Sequence, residues 1–231
     1  MFWTFVEATP AVGGSVQIDG KKGHHLARVL RVRPGEHGIA VYAGREYEVE
    51  VAAVDGARID ARVLGDRPAR GEPTTTIRLW QAVLPNPDFD AVLEGGTAVG
   101  IRQFVAVQAA RSIGRPPAGR LSRWEAIVES AAEQSHRGVI PTVTGPVTLS
   151  SALAHASDSR LLALDPSASL PLAQAIDGSA AYTIAVGPEG GWTEEELASL
   201  QDGGAVAVNL GPRVLRARLA PIVAAAILVQ R

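Results

Sequence analysis

A glycine-rich loop between a predicted strand and a predicted helix constrains the fold of this chain more than any other stretch. The apolar run 182–186 is typical of a buried strand and leads directly into residues 187–191. This loop has three glycines and a proline in five residues, so the turn carries little side-chain bulk. Thr193 and Glu196 then follow the pattern of a capping box, which predicts the first turn of a helix.

The same pattern is repeated further along the chain. Residues 205–210 predict a strand, Gly211 and Pro212 a turn, and the chain from Arg213 onward a helix with Pro212 at its first position. Loops of this kind expose main-chain N–H and C=O groups at the ends of strands, where α/β proteins bind small molecules. The two loops therefore predict one ligand between them. The alternatives are an ordinary tight turn at 187–191 and a solvated pair at Arg213 and Arg216.

Turn-forming residues divide the chain into a β-rich first part and an α/β second part. The first part predicts a small barrel with one helix at 23–32 and strands at 15–18, 38–42, 46–54 and 58–64. The second part predicts a parallel sheet flanked by helices, from alternating elements at 75–83, 88–99, 103–108, 122–134 and 160–164. The Pro- and Gly-rich stretch 65–73 separates the predicted domains, 1–70 and 74–231.

Composition excludes several classes of protein. Hydrophobic residues make up 46% of the 231 residues and charged residues 20%, which supports a packed core rather than a disordered chain. The chain has no cysteine, so it has neither disulfides nor cysteine-ligated metal, as is typical of a cytoplasmic protein. No signal-peptide pattern follows Met1. The apolar run 219–229 is too short to span a bilayer and predicts a buried helix.

Basic residues are concentrated in two stretches, although the net charge is only −2. Residues 21–33 and 102–123 each contain five lysines or arginines and no acid, which is compatible with a polyanionic partner. His24 and His25 lie in the first stretch without a His-Glu-x-x-His pattern, so they predict no metal site. Polar residues also crowd the end of the predicted helix 122–134, either as an ordinary helix C-terminus or as a cluster facing a substrate.

Four motifs together resemble one family, the bacterial 16S ribosomal RNA uridine-N3 methyltransferases of the SPOUT superfamily. The motifs are His25-x-x-Arg28-Val29-Leu30-Arg31, Ala131-Ala132-Glu133-Gln134-Ser135-x-Arg137, the loop 186–191 with its acidic helix start, and the segment 210–216. The resemblance implies an α/β fold: a trefoil-knotted C-terminal SPOUT domain after an N-terminal PUA-like β-barrel. It also implies S-adenosyl-L-methionine as cofactor, 16S rRNA in the 30S subunit as partner, and a homodimer, while the residues themselves predict neither a membrane nor a metal as partner. The apolar segment 221–229 is then an expected part of the dimer interface.

The resemblance also implies roles for individual residues. Arg216 is the first candidate to stabilise charge in the reaction and Arg137 the second, and no general base is assigned. The expected cofactor-binding residues are Leu164, Gly187, Pro188, Glu189, Gly190, Gly191, Leu210, Gly211, Val214, Leu215 and Ala220. The expected RNA-binding residues are Lys21, Lys22, His25, Arg28, Arg31 and Arg33.

The chain departs from the family pattern at three places, one of which is the absence of a basic residue near Asn86 to Asp88. Leu215-Arg216 is followed by Ala217-Arg218-Leu219-Ala220 where the family has Thr-Glu-Thr-Ala, and Gly95 and Ala98 replace a Lys and a Glu. Two alternatives therefore stand beside the principal hypothesis. One is a methyltransferase of this fold acting on another RNA, and the other is a catalytically weakened RNA-binding or ribosome-assembly protein.

Overall fold

The computed structural model describes residues 1–113, 119–156 and 159–230 of the chain. The chain divides into two compact units, the first formed by 1–72 with 132–139 and the second by 73–131 with 140–231. The predicted domains are continuous in sequence, whereas the first unit also takes in the segment 132–139. Arg115, one of the arginines in the second basic stretch, lies outside the described residues.

The first unit is built on a five-stranded sheet. Its strands are β1 (Phe2–Phe5), β2 (Ser15–Ile18), β3 (His37–Tyr42), β4 (Arg45–Asp55) and β5 (Arg58–Pro68), in the order β1-β3-β4-β5-β2. β1 pairs with β3 in parallel, and the other pairs are antiparallel. Alternate residues of β4, including Tyr47, Val49 and Val51, enter the core because successive side chains point to opposite faces of a strand. Two register shifts between β4 and β5 interrupt the ladder, as β-bulges do.

The predicted helix 23–32 is two elements. Helix α1 (Gly20–His24) continues into a π-helical segment, His25–Leu30, which ends at Arg31 in the left-handed region, with φ 55°. Leu26 and Val32 anchor this segment in the core of the first unit. Strand β1 was not predicted; the ring of Phe2 lies so close to Gly38 that a Cβ there would be 2.3 Å from it.

The second unit has a parallel sheet between helices, as predicted, and this sheet has six strands, one more than predicted. Its strands are β6 (Thr76–Ala82), β7 (Ile101–Gln108), β8 (Thr142–Thr148), β9 (Arg160–Leu164), β10 (Ala181–Val186) and β11 (Val206–Val208), in the order β11-β9-β10-β6-β7-β8. The helices are α2 (Asn86–Val99), α3 (Arg120–Gln134), α4 (Leu149–Ala154), α5 (Leu172–Ala175), α6 (Glu194–Asp202) and α7 (Ala220–Val229). Ile184 and Val186 of β10 enter one core cluster and Ala185 another, so both faces of the sheet are covered.

The predicted helix from Arg213 onward is wrong. Residues 211–216 are bends and irregular backbone, 217–219 form a turn, and α7 begins only at Ala220. The backbone N–H groups of Leu219 and Ala220 both donate to the Arg216 carbonyl, at 2.8 and 3.0 Å, which closes the last turn before the helix. The proline in the first turn of the helix is Pro221 and not Pro212. Both prolines satisfy the sequence rule for a helix start, so the rule alone does not choose between them.

Four of the elements in the structure were not predicted from the sequence: β1, β8, α4 and α5. β8 contains Gly145 and Pro146 within its seven residues, and both are typical of turns, but it is an edge strand, where proline is tolerated. The trefoil knot that the resemblance implies stays a prediction.

Candidate functional site

Three neighbouring strands of the second unit end side by side. β9, β10 and β11 are adjacent in the sheet, and their register pairs Leu164 with both Val186 and Val208, the last residues of the three strands. Because the strands are parallel, the loops that follow them leave the same edge of the sheet. This edge, at the carboxyl ends of the strands, is where α/β sheets bind ligands.

These three loops surround a cavity of about 520 Å³ in the second unit, a size typical of small-molecule sites. All of the predicted cofactor-binding residues line it, and so does Arg216. Residues that were not named individually as cofactor-binding also line it, namely Arg111, Asp165, Pro166, Ser167, Val186, Trp192, Leu197, Val208, Asn209, Arg213 and Ala217. Several of these follow β9 or β11 directly, and the loop after β9 is one that the family resemblance implies for the cofactor.

The loop after β10 is folded tightly on itself. The N–H of Gly191 donates to the Pro188 carbonyl at 2.8 Å, and Gly191 has a φ of 71°, in the region that favours glycine. A Cβ on Gly187 would lie 3.1 Å from the backbone nitrogen of Trp192. The glycines therefore allow the close approach of backbone to backbone, and the indole of Trp192 is buried beneath the loop.

The capping box predicted at the start of α6 is confirmed. The backbone N–H of Glu196 donates to the Thr193 hydroxyl at 3.2 Å, and the Thr193 N–H donates to the Glu196 carboxylate at 2.9 Å. The other oxygen of that carboxylate accepts the N–H of Ala110 at 2.8 Å, which ties the loop after β7 to the helix start. Hydrogen bonds from its own backbone N–H and from the Thr193 hydroxyl hold the pKa of Glu195 below its ordinary value.

Arg111 holds the glycine loop from the side. One nitrogen of its guanidinium donates to the carbonyl of Gly190 at 2.8 Å and to that of Trp192 at 3.2 Å. The aliphatic part of the same side chain lies against Gly190, where an added Cβ would be 3.4 Å from Cδ of Arg111. From the sequence, Arg111 was only one residue of a basic stretch, whereas in the structure it fixes one wall of the cavity.

The opposite wall is the segment 209–219. The side chain of Asn209 donates to the Ala168 carbonyl and accepts the N–H of Gly211, both at 2.8 Å, so it connects the loops after β9 and β11. Further along the wall, Arg218 forms an ion pair of 2.8 Å with Asp88 at the start of α2. The walls of the cavity are therefore held by specific polar contacts.

Arg213, Val214 and Arg216 present exposed side chains at the cavity. Val214 is 83% exposed, although it is apolar and lines the cavity. Neither Arg213 nor Arg216 forms an ion pair with any acid in the part of the chain that the structure describes. Two unneutralised guanidinium groups therefore stand beside a partly apolar cavity, ready for an anionic ligand or for charge that develops in a reaction.

Arg137 is not among the residues that line this cavity. Arg137 belongs to the first unit, is only 1% exposed, and binds the Glu72 carboxylate through two nitrogens at 3.1 and 2.7 Å. Its neighbours have the same kind of role: Glu133 accepts the Thr4 hydroxyl at 2.9 Å, and the His136 ring stacks on Trp3 at 4.6 Å. The polar cluster at 133–137 thus attaches to the first unit, which favours a structural role over contact with a substrate.

The predicted RNA-binding residues, all in the first unit, divide into two groups. The side chains of Lys21, His25, Arg28, Arg31 and Arg33 are exposed. The ammonium of Lys22 instead donates to the Phe5 carbonyl at 3.0 Å, lies over the Phe5 ring and approaches Glu133 at 3.9 Å. The ammonium of Lys22 is therefore used in contacts within the first unit, which gives it a structural role.

In the ranges that the structure describes, no group of three or more His, Asp or Glu side chains is placed to hold a metal ion. In the same ranges, every helix is too short or too polar to span a membrane.

Comparison with known proteins agrees with this architecture. Family models for an RNA methyltransferase domain and an RNA methyltransferase PUA domain match residues 71–229 and 18–64. Ribosomal RNA small subunit methyltransferase E of Mycobacterium bovis is 37% identical over 95% of this chain and 88% of its own length. The protein of that name from Synechocystis sp. is 32% identical over 93% of this chain and 73% of its own. A crystal structure of the Neisseria gonorrhoeae protein of that name, bound to S-adenosyl methionine, superposes with a TM-score of 0.93 at 31% identity, covering 99% of this chain and 96% of that one. The chain therefore belongs to the RNA methyltransferase family, with a PUA domain preceding its methyltransferase domain.

Proposed function

We propose that this protein transfers a methyl group from S-adenosylmethionine to N3 of a uridine in 16S ribosomal RNA. The observation that carries the proposal is the convergence of three strand ends on one cavity in a chain of this family. Relatives that are more than 30% identical are named as small-subunit ribosomal RNA methyltransferases, and one of them was crystallised with S-adenosyl methionine.

The residues of the cavity fit S-adenosylmethionine. The bare backbone of the glycine loop leaves N–H and C=O groups available for a purine edge, and Leu164, Val186 and Leu215 provide apolar surface. Glu189, which lines the cavity, suits a ligand that carries a positive charge at sulfur, whereas the triple Glu of the α6 start is not part of the lining. When it is bound, S-adenosylmethionine supplies an already activated methyl group, so the protein has mainly to orient the acceptor.

Arg216 is the residue we propose for stabilising charge on the acceptor. N3 of uridine carries a proton, and as that proton leaves, negative charge spreads over the two flanking carbonyl oxygens. An exposed guanidinium at the cavity, not neutralised by an acid among the described residues, provides donors where this charge develops. Arg137, the second candidate, stays a prediction that its buried pairing with Glu72 does not support.

We propose that the RNA is bound through exposed cations of the first unit. In the described part of that unit, Lys21, Arg28, Arg31 and Arg33 form no ion pair with an acid. The arginines of the sheet are instead neutralised, in the pairs Arg45–Asp66, Arg58–Asp60, Arg62–Glu50 and Arg67–Glu46. Because unpaired cations are the ones available to phosphates, the free positive charge of this unit is concentrated in residues 21–33.

We further propose that the working form is a homodimer acting on the 30S subunit in the cytoplasm. α7 carries no charged residue, and its Ile222, Val223 and Ala226 remain partly exposed in the single chain. A helix that is apolar on all sides is expected to be covered by protein, so these side chains favour a second copy as a partner.

The function is tested by incubating the protein with labelled S-adenosylmethionine and 30S particles from a strain that lacks the modification. We expect label in 16S ribosomal RNA, and nucleoside mass spectrometry should identify 3-methyluridine. Absence of label with intact RNA binding would support the alternative of a weakened RNA-binding or assembly protein. Label on a different nucleoside or RNA would support the alternative target.

The role of Arg216 is tested with Arg216→Ala in the same assay. Loss of one charge-stabilising donor is expected to lower kcat by about 100-fold while leaving cofactor affinity within a few-fold. The matched control is Arg123→Ala, because the Arg123 guanidinium is also exposed but is bound to Asp90 at 2.6 Å and does not line the cavity. An unchanged kcat in Arg216→Ala removes this residue from the mechanism.

A further inference from the structure

Two large apolar side chains project from the π-helical segment without a role in the core. Val29 is 62% exposed and Leu30 is 52% exposed, whereas Leu26 and Val32 on either side are buried. Leu26 and Val32 therefore anchor the segment in the core, while Val29 and Leu30 face the solvent. We call Val29 and Leu30 the apolar pair.

The apolar pair lies among unneutralised cations. Arg28 and Arg31 adjoin it in sequence, and Lys21 and Arg33 lie in the same exposed segment. None of these four forms an ion pair with an acid among the described residues. The positive charge of this surface suits a polyanion. Contacts with phosphates alone, however, do not explain why two aliphatic side chains are exposed beside the cations.

We propose that this surface binds unpaired nucleotides, with phosphates on the cations and the face of an unstacked base on the apolar pair. In an A-form duplex the base faces are covered by their stacked neighbours, so only an unpaired segment offers an apolar face beside its phosphates. The inference rests on the proposed RNA-binding function and names the kind of RNA structure that the first unit recognises.

The experiment measures binding of the full chain to two probes, an oligouridine and the same strand annealed to oligoadenosine, by fluorescence anisotropy over a range of salt concentrations. The variant is Val29→Ser combined with Leu30→Ser. Val12→Ser is the matched control, because Val12 is 56% exposed in the same unit but lies outside residues 21–33. Arg28→Ala tests the phosphate contacts separately.

We expect the wild-type chain to prefer the single strand. The double variant should bind the single strand about tenfold more weakly, since two half-exposed aliphatic side chains lose their apolar contact. Its salt dependence should be unchanged, whereas Arg28→Ala should reduce the slope of log K against log salt by about 0.7. Val12→Ser should behave as the wild-type chain does.

Three results would overturn the proposal: unchanged single-strand affinity in the double variant, an equal loss for the duplex, or a change in self-association without a change in RNA affinity. The last result would assign the apolar pair to a protein contact. An unchanged unfolding transition in the double variant shows that the first unit is folded, and binding of S-adenosylmethionine shows the same for the second unit, because the cavity lies there. Because the readout is binding, a failure of methyl transfer by the wild-type chain would be seen separately.

Discussion

Removal of the Arg111 guanidinium should weaken cofactor binding although the side chain lies at the edge of the cavity. In Arg111→Ala the carbonyls of Gly190 and Trp192 lose their shared donor, at 2.8 and 3.2 Å. The aliphatic contact that covers Gly190 is lost as well. The glycine loop then keeps its internal hydrogen bond from Gly191 to Pro188 but loses its lateral support.

The expected magnitude follows from these two contacts. Hydrogen bonds with a charged partner contribute about 1.5 to 3 kcal/mol each when they are buried. Arg111 is exposed, so water screens its charge, and we assign the pair together about 1 to 2 kcal/mol. The ligand must supply this free energy when it orders the loop, so Kd for S-adenosylmethionine should rise about 5- to 30-fold.

Isothermal titration calorimetry measures this change directly. Arg111→Lys should give an intermediate Kd, because an ammonium keeps the charge but lacks the rigid planar group that holds one guanidinium nitrogen between both carbonyls. Arg123→Ala, which removes an exposed arginine that does not line the cavity, should leave Kd unchanged. A Kd for Arg111→Ala within about twofold of the wild-type value would refute the view that this arginine orders the loop.

Two further predictions concern stability. Gly96→Ala should lower the free energy of unfolding by about 1 to 2 kcal/mol in denaturant titrations, since its Cβ would lie 2.7 Å from the ring of Phe104 and overpacking exceeds the gain in helix propensity; equal stability would contradict this packing. The pKa of Asp177 is lowered to about 2 by hydrogen bonds from the Ser179 hydroxyl and N–H and from the Tyr182 hydroxyl. The stability that these bonds add is complete above the unfolded pKa of about 4 and is lost as the pH falls toward 2, so Asp177→Asn should flatten the pH dependence of unfolding between these values; an unchanged profile would show that other carboxylates control it.

Local signals in the sequence predicted the glycine loop well. A capping box depends on residues three apart, and the turn 187–191 depends on its own glycines, so Thr193 and Glu196 are enough to locate the start of α6. The end of the second loop was harder to predict from the sequence. Two prolines, Pro212 and Pro221, each match a helix start, and only the packing of α7 decides between them.

Other features depend on contacts that are remote in sequence. Gly95 departs from the family pattern, and in the structure the absence of a side chain there makes room for Ile222 of α7. A Cβ added to Gly95 would lie 2.6 Å from Cδ1 of Ile222. Arg111 resembled the other arginines of residues 102–123 until the fold brought Gly190 and Trp192 beside it. Neither relationship has a signature within a single stretch of sequence.

The docking of residues 132–139 onto the first unit has a consequence for biosynthesis. The hydroxyl of Thr4 and the carboxylate of Glu133 are 129 positions apart, and Glu72 finds its partner Arg137 65 positions later. The N-terminal sheet therefore leaves the ribosome long before the residues that complete it, and Trp3 has no stacking partner until His136 has been synthesised. A shortened chain that ends before residue 132 would leave Glu72 and Trp3 without these partners, so we expect this unit to become resistant to proteases late in translation.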